Sequence, residues 1–469
     1  MYSLEIRDSR YKGNTKYVYC LEISNRPFAH SIFPMAVQRG TSIQSKIIGY
    51  NLGDTDTATL SASSSEPVGW QKKTIKSANG ETNPVAVFVS DHPQLLATGD
   101  NLTIETATPL TLPVGVNGRF SVDGQKHYYS FAAKKGAYYL FQLESNSRKL
   151  PLDAVMEIFD AKGKSISKID DGLHTKDPRL YFKAPADGKY TLCLYDLLYR
   201  GGERFFYHLR AEPSGPDFEI HGEYYYAQLA PGTNKIWFAK VTRLNGFIGP
   251  VEIKIDNLPA GVSYTPVTIS PGMTQVAVIL SAAPTAKINA SLVQLYGEAI
   301  IKDAAGKEHE VVRYGHINCE LQGQGGGQGR WPIKTQIVGV VEPLDLLEVT
   351  ASPAEITLKP GEKKEITVSI KRQPGFKDPV SLATEFKYFT SVIGAQLPKG
   401  VTLGKASTTR LSGKTLVGKI ILEADKDSKK LQAVDKLPIA ILARVSITFS
   451  ITTNYASNPI FLTVISEEK

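Results

Sequence analysis

Six short runs between His127 and Leu209 constrain the fold more than anything else in the chain. They are His-Tyr-Tyr-Ser-Phe (127–131), Tyr-Tyr-Leu-Phe-Gln-Leu (138–143), Ala-Val-Met-Glu-Ile-Phe (154–159), Arg-Leu-Tyr-Phe (179–182), Tyr-Thr-Leu-Cys-Leu-Tyr (190–195) and Arg-Phe-Phe-Tyr-His-Leu (204–209). Each is aromatic or β-branched, and each ends at turn chemistry such as Lys135-Gly136, Asp160-Ala-Lys-Gly163 or Asp187-Gly188. Runs this short are strands, not helices. A sheet built from them must bury one face against a second sheet, which predicts a sandwich or jelly roll.

The rest of the chain reads the same way. Helical periodicity is nearly absent and turns are frequent. With 469 residues the chain exceeds one ordinary core, so three or four domains are expected. The expected class is all-β: a tandem array of antiparallel β-sandwiches, jelly-roll and immunoglobulin-like. The formal charge of +8 is spread without a basic stripe carrying interleaved aromatics, which sets nucleic acid aside as a partner. No apolar run is long enough to span a bilayer. Cys20, Cys193 and Cys319 are few, distant and odd in number, so the chain does not depend on disulfides.

Phe120-Ser-Val-Asp-Gly-Gln-Lys-His-Tyr-Tyr-Ser-Phe-Ala-Ala-Lys-Lys-Gly136, Pro151-Leu-Asp-Ala-Val-Met-Glu-Ile-Phe-Asp-Ala-Lys-Gly163 and Asp177-Pro-Arg-Leu-Tyr-Phe-Lys-Ala-Pro-Ala-Asp-Gly-Lys-Tyr190 follow one another in order. Together they resemble the bacterial pre-peptidase C-terminal (PPC) domain family. The resemblance implies a β-sandwich accessory module of a secreted protein, often attached to a peptidase. Gln125 and His127 stand where that family commonly places acidic residues.

Residues 1–23 match 190–209 at a constant offset of 188 (190 − 2), pairing Tyr2 with Tyr190, Leu4 with Leu192, Asp8 with Asp196 and Tyr19 with Tyr207. They are expected to form the closing hairpin of a second such sandwich, with strands Tyr2–Ile6 and Tyr17–Ile23. On that reading the chain is a fragment, or its start lies inside a longer reading frame. From Pro27 to Gly53 the sequence resembles the opening of IPT/TIG-type immunoglobulin-like domains. Further on, Leu229-Ala-Pro-Gly232, Arg243, Gly246-Phe247 and Pro250-Val251 recur 129 residues later as Leu358-Lys-Pro-Gly361, Arg372, Gly375-Phe376 and Pro379-Val380. Repeats of this size mean two related domains, and the pattern resembles bacterial immunoglobulin-like domains. The expected segments are 1–26, hairpin remnant; 27–106, IPT/TIG-like; 107–213, PPC-like sandwich; 214–321, immunoglobulin-like; 322–341, Gly/Gln-rich linker; and 342–469, immunoglobulin-like.

Chemistry-bearing motifs are scarce. There is no Gly-x-Ser-x-Gly elbow. His309-Glu-Val-Val-Arg313 places arginine where a zinc helix needs its second histidine. Asp153, Asp170, Asp171 and Asp177 are the best acidic set. Two readings stand for them: turn chemistry, or a Ca²⁺ site that gathers several oxygens at about 2.4 Å. No other cofactor is expected. Tyr128, Tyr199, Tyr224 and Trp331 are the candidate partner contacts, against the plainer reading that they fill cores or dock on neighbouring domains.

The expected function is therefore non-catalytic. The chain reads as part of a bacterial exported or cell-surface protein, acting as spacer, adhesion module or binder of an extracellular polymer or protein, with upstream domains of the same parent as neighbours. The export signal would lie outside this chain, and the location would be extracellular, cell-surface or periplasmic. The alternative, which rests on the resemblance, is the accessory C-terminal region of a secreted peptidase whose catalytic domain lies upstream.

Overall fold

The structure is a computed structural model. It describes residues 2–15, 17–172, 175–222, 226–303, 306–322, 328–333, 335–388, 391–446 and 452–466. Apart from two single-turn 3₁₀ segments, every regular element among these is a β-strand. The protein is an array of antiparallel β-sandwiches. It divides into two compact units, Met1–Ser214 and Gly215–Lys469.

The heart of the first unit is a sandwich of two five-stranded sheets. One sheet orders Thr108–Pro109, Lys126–Ala133, Gly188–Asp196, Ala154–Phe159 and Ser165–Ile169. The other orders Arg179–Lys183, Tyr138–Glu144, Phe206–Ser214, Val114–Arg119 and Gln94–Leu96. Alternation along each strand sends Tyr129, Phe131, Phe141, Leu143, Leu192, Leu194, Tyr207 and Leu209 into the shared core. The turns use their glycines as the sequence demands: Gly136 and Gly163 take φ 79° and 78°, which a β-carbon disfavours.

A polar chain runs through this core. Tyr207 Oη lies 2.7 Å from His127 Nδ1 and 2.8 Å from Tyr129 Oη. Tyr207 fits because Gly118 sits directly opposite it on the neighbouring strand; a β-carbon there would overlap the phenol ring. Gly118→Ala is therefore expected to displace Tyr207 and destabilise the first unit by about 1–3 kcal/mol. Denaturant unfolding checks this, and an unchanged midpoint would show that the ring has room to move.

Residues 28–90 form a smaller sandwich. Phe28–Phe33, Ser42–Tyr50 and Thr57–Ser61 make one sheet; Ala36–Gln38, Val85–Ser90 and Gly69–Lys73 make the other. Its core includes Leu150 and Phe206, so it packs directly on the central sandwich. Asn117 Oδ1 accepts from the amides of Met35 and Ala36 at 3.1 and 3.0 Å, and Trp70 Nε1 donates to Glu144 at 2.6 Å. The Arg148 guanidinium lies 4.1 Å from the Trp70 ring centre.

In the second unit two sandwiches share an edge. Asn234–Leu244 pairs with Thr452–Ala456 at Asn234 and Ala456, so one sheet runs from the first sandwich into the second. The repeated positions share local structure. Gly232 and Gly361 take φ 79° and 74°, and Gly246 and Gly375 take 82° and 89°. Arg243 donates to the carbonyl of Gly249, and Arg372, 129 residues on, donates to that of Asp378.

Two expectations need correction. The described residues of 2–26 carry no strand, so Tyr2–Ile6 and Tyr17–Ile23 do not pair as a hairpin. Two strands alone are marginal in water, and among the described residues no sheet of the unit takes them in. The described residues of the expected linker 322–341 are largely strand. Gln328–Ile333 pairs with His316–Gln322, and Gln336–Val340 lies between Tyr226–Leu229 and Asn289–Lys302. Gln336, Val338 and Val340 are buried on alternate positions, a period of two that outweighs the Gly/Gln composition beside it. Residues 323–327 lie outside the described set.

Candidate binding face

Strand Gly188–Asp196 is covered on both sides. Tyr190, Leu192 and Leu194 enter the core, while Cys193 and Tyr195 join Val155 in a separate cluster on the other face. Strand register builds that face. Lys126 stands opposite Tyr195, which stands opposite Val155; Tyr128 stands opposite Cys193, Glu157 and then Lys168. Tyr128 packs against the same cluster.

Tyr199 reaches this face from the turn that follows. Asp196 accepts from the amides of Leu198 and Arg200, each at 3.1 Å, and holds the Arg200 guanidinium through Nε at 2.9 Å and Nη2 at 3.0 Å. The clamp fixes Tyr199 at φ 56°, a left-handed conformation that a tyrosine adopts only when its surroundings impose it. The result is a parallel stack: Tyr199 lies on Tyr195 with ring centres 5.6 Å apart and planes 10° apart. Lys126 Nζ sits 4.8 Å from the Tyr195 ring and 5.5 Å from the Tyr199 ring, and Lys168 Nζ sits 5.7 Å from Tyr195. Half of Tyr199 stays exposed (50%) although it is already stacked, so the ledge has room for a further contact.

The face carries charge of both signs around its tyrosines. Burial pushes the Cys193 thiol up to about 11, so it stays protonated at neutral pH and is no nucleophile. Burial, and then the neighbouring Cys193, push the Tyr128 phenol up to about 12. The hydrogen bond to Tyr195 raises the Lys168 ammonium. Lys126 and Lys168 bring positive charge to the ledge, and Glu157 beside them and Glu105 near Tyr128 bring negative charge.

Of the partner contacts read from sequence, the structure brings Tyr128 and Tyr199 to this one face. Tyr224 and the Trp331 side chain lie outside the described residues, although the Trp331 backbone pairs with Cys319. Tyr195, Lys126 and Lys168 were missed. The signal was present: Tyr195 has the parity of Cys193, opposite to that of Leu192 and Leu194.

Two of the four aspartates, Asp177 and Asp153, hold partners within the protein. Asp177 accepts from the amides of Ser145 and Asn146 through Oδ1, at 3.0 and 2.7 Å, and from Ser147 through Oδ2 at 2.9 Å. Asp153 accepts from Lys176 Nζ at 2.5 Å. Asp170 and Asp171 are exposed. Among the described residues, no three His, Cys, Asp or Glu side chains gather as a metal-holding group. No helix among them is long and apolar enough to cross a membrane.

No family profile and no curated protein matches this chain. Comparison with solved structures gives local likeness only. PliG of Aeromonas hydrophila, a periplasmic inhibitor of g-type lysozyme, is 17% identical over 26% of this chain and 99% of its own, with a TM-score of 0.20. The sialic acid binding region of the Streptococcus sanguinis SK1 adhesin, bound to 3'sLn, is 10% identical over 54% and 78%, with a TM-score of 0.16. A marsupial T cell receptor is 10% identical over 53% and 73%, with a TM-score of 0.17.

Proposed function

We propose that this chain is a non-catalytic, multi-sandwich binding region of an exported protein, with its central sandwich a member of the PPC-like accessory modules. We assign its binding surface to the Tyr195–Tyr199 ledge, and its ligand to an acidic sugar polymer. The observation that carries this reading is the stacked tyrosine pair with two lysine ammoniums beside it. The apolar face of a pyranose ring packs on an aromatic ring by dispersion, while a carboxylate on the sugar pairs with an ammonium. A tyrosine held in a strained backbone at half exposure fits a recognition role better than a packing role.

Binding isotherms of the full chain with polygalacturonate and with neutral dextran test it. Polygalacturonate is expected to bind and dextran to bind far more weakly. Tyr199→Ala is expected to weaken polygalacturonate binding about tenfold, a loss of about 1.4 kcal/mol. Equal binding by both polymers, or an unchanged isotherm for Tyr199→Ala, would overturn the assignment.

A further inference from the structure

A second aromatic surface borders the loop that carries Tyr199. On the small sandwich Phe28 stands opposite Tyr50, and Phe33 opposite Lys46, so these four side chains share one face with Ile48. That face has two parts. Phe33 and Ile48 pack on the central sandwich: the Phe33 ring lies 5.2 Å from that of Phe206, and Ile48 shares a core with Phe206 and Leu150. Phe28 and Tyr50 lie past this contact and stay 43% and 67% exposed. A one-residue bulge adds His30 to them, its ring edge-on to both, 5.0 Å from that of Phe28 and 5.5 Å from that of Tyr50. Asn83 holds the bulged strand through both backbone groups of Ala29, at 2.8 and 2.9 Å. Three exposed rings are thus fixed in mutual contact.

The neighbouring loop, 197–205, supplies the charge. Its Glu203 and the nearby Asp56 are both gathered on Lys46 Nζ, at 2.7 and 3.5 Å, which ties the loop to this face. Arg204 is exposed and donates to the Lys149 carbonyl at 3.4 Å. Burial, and then Arg204, lower the His30 imidazole, so the cation beside the rings at neutral pH is Arg204. Tyr199 precedes Arg204 by five residues (204 − 199) in the same loop, a span of at most ~18 Å.

We propose that Phe28, His30, Tyr50 and Arg204 form a second subsite for the acidic sugar polymer, so that one ligand chain runs from the Tyr195–Tyr199 ledge across the loop to these rings. The inference rests on the acidic-polymer reading of the ledge. Pyranose faces pack on the exposed rings, and a sugar carboxylate takes the fork of donors on the Arg204 guanidinium. Once the ledge holds one part of the polymer, the second contact is intramolecular, so affinity rises with ligand length although neither contact strengthens.

Titration of the full chain with galacturonate and with decagalacturonate tests this. Tyr50→Ala is expected to lower decagalacturonate affinity at least tenfold but galacturonate affinity at most about twofold, because a single sugar gains nothing from a second subsite. Arg204→Gln is expected to act in the same direction, and Tyr50→Phe, which keeps the ring, to retain wild-type affinity for the decamer. Equal losses with the two ligands, or no loss with decagalacturonate, would overturn the second subsite and leave the ledge standing. Binding of both ligands untouched by Tyr199→Ala would overturn the ledge reading, and this inference with it.

Discussion

As the pH falls from 6.5 towards 4, the first unit is expected to lose stability at about 1.4 kcal/mol per pH unit for each of two buried histidines. His127 is fully buried beside Tyr207, and burial lowers it to about 4. His208 is buried where the two sandwiches of the unit meet, with its ring 4.7 Å from that of Phe88. Its Nε2 donates to Gln94 Oε1 at 3.0 Å, and burial, then Arg210 and Arg148, lower it to about 3. In the unfolded chain both take up a proton near 6.5, whereas the folded protein keeps them neutral. The unfolded state then binds more protons across this window, and stability drops with pH. By pH 4 each site accounts for roughly 3 kcal/mol. Denaturant midpoints at pH 7, 5.5 and 4.5 check this. His208→Gln is expected to flatten the slope by about half, and a wild-type midpoint constant over that range would contradict the burial of both rings.

Phe131→Ala is expected to cost the first unit about 3–5 kcal/mol. Phe131 is 2% exposed and stands at the centre of an aromatic cluster. Its ring lies 4.8 Å from Phe141, 5.8 Å from Tyr139, 5.9 Å from Tyr190 and 6.1 Å from Phe182, so both sheets contribute neighbours. These rings come from four strands whose positions the ladders fix, and they cannot collapse into the vacated space without breaking backbone hydrogen bonds. Phe131→Leu keeps most of the volume and is expected to cost much less. Urea unfolding of the full chain, resolved by unit, gives both values; a loss under 1 kcal/mol for the alanine variant would mean that the core repacks freely.

Strand-forming runs and turn glycines made the sandwich class legible in the sequence. All six runs between 127 and 209 lie wholly or mostly in strands, because period-two alternation and turn chemistry act locally and do not wait on tertiary partners. Failures came where the partner decides. Tyr2–Ile6 and Tyr17–Ile23 have strand composition but no sheet to join. Gln336–Val340 is short and sits beside a Gly/Gln tract, yet two neighbours pair with it on either side. The binding face was half legible. Tyr128 and Tyr199 stood out as candidate contact tyrosines, but Lys126 and Lys168 join them only through register across four strands. The role of Asp196 was hidden in the same way: an aspartate before a turn reads as turn chemistry, and its grip on Arg200 is what sets the Tyr199 backbone.

Lysine footprinting of the full chain with polygalacturonate tests the binding ledge most directly. An amine-reactive label, read by peptide mass spectrometry, reports each lysine separately. With polymer present, Lys126 and Lys168 are expected to be shielded several-fold, and their shielding to fade as salt rises, as it must for exposed charge pairs. Lys134, on the same sandwich but outside the ledge, is expected to label as before. Shielding spread evenly over the surface lysines, or confined to lysines away from Tyr195 and Tyr199, would contradict the account.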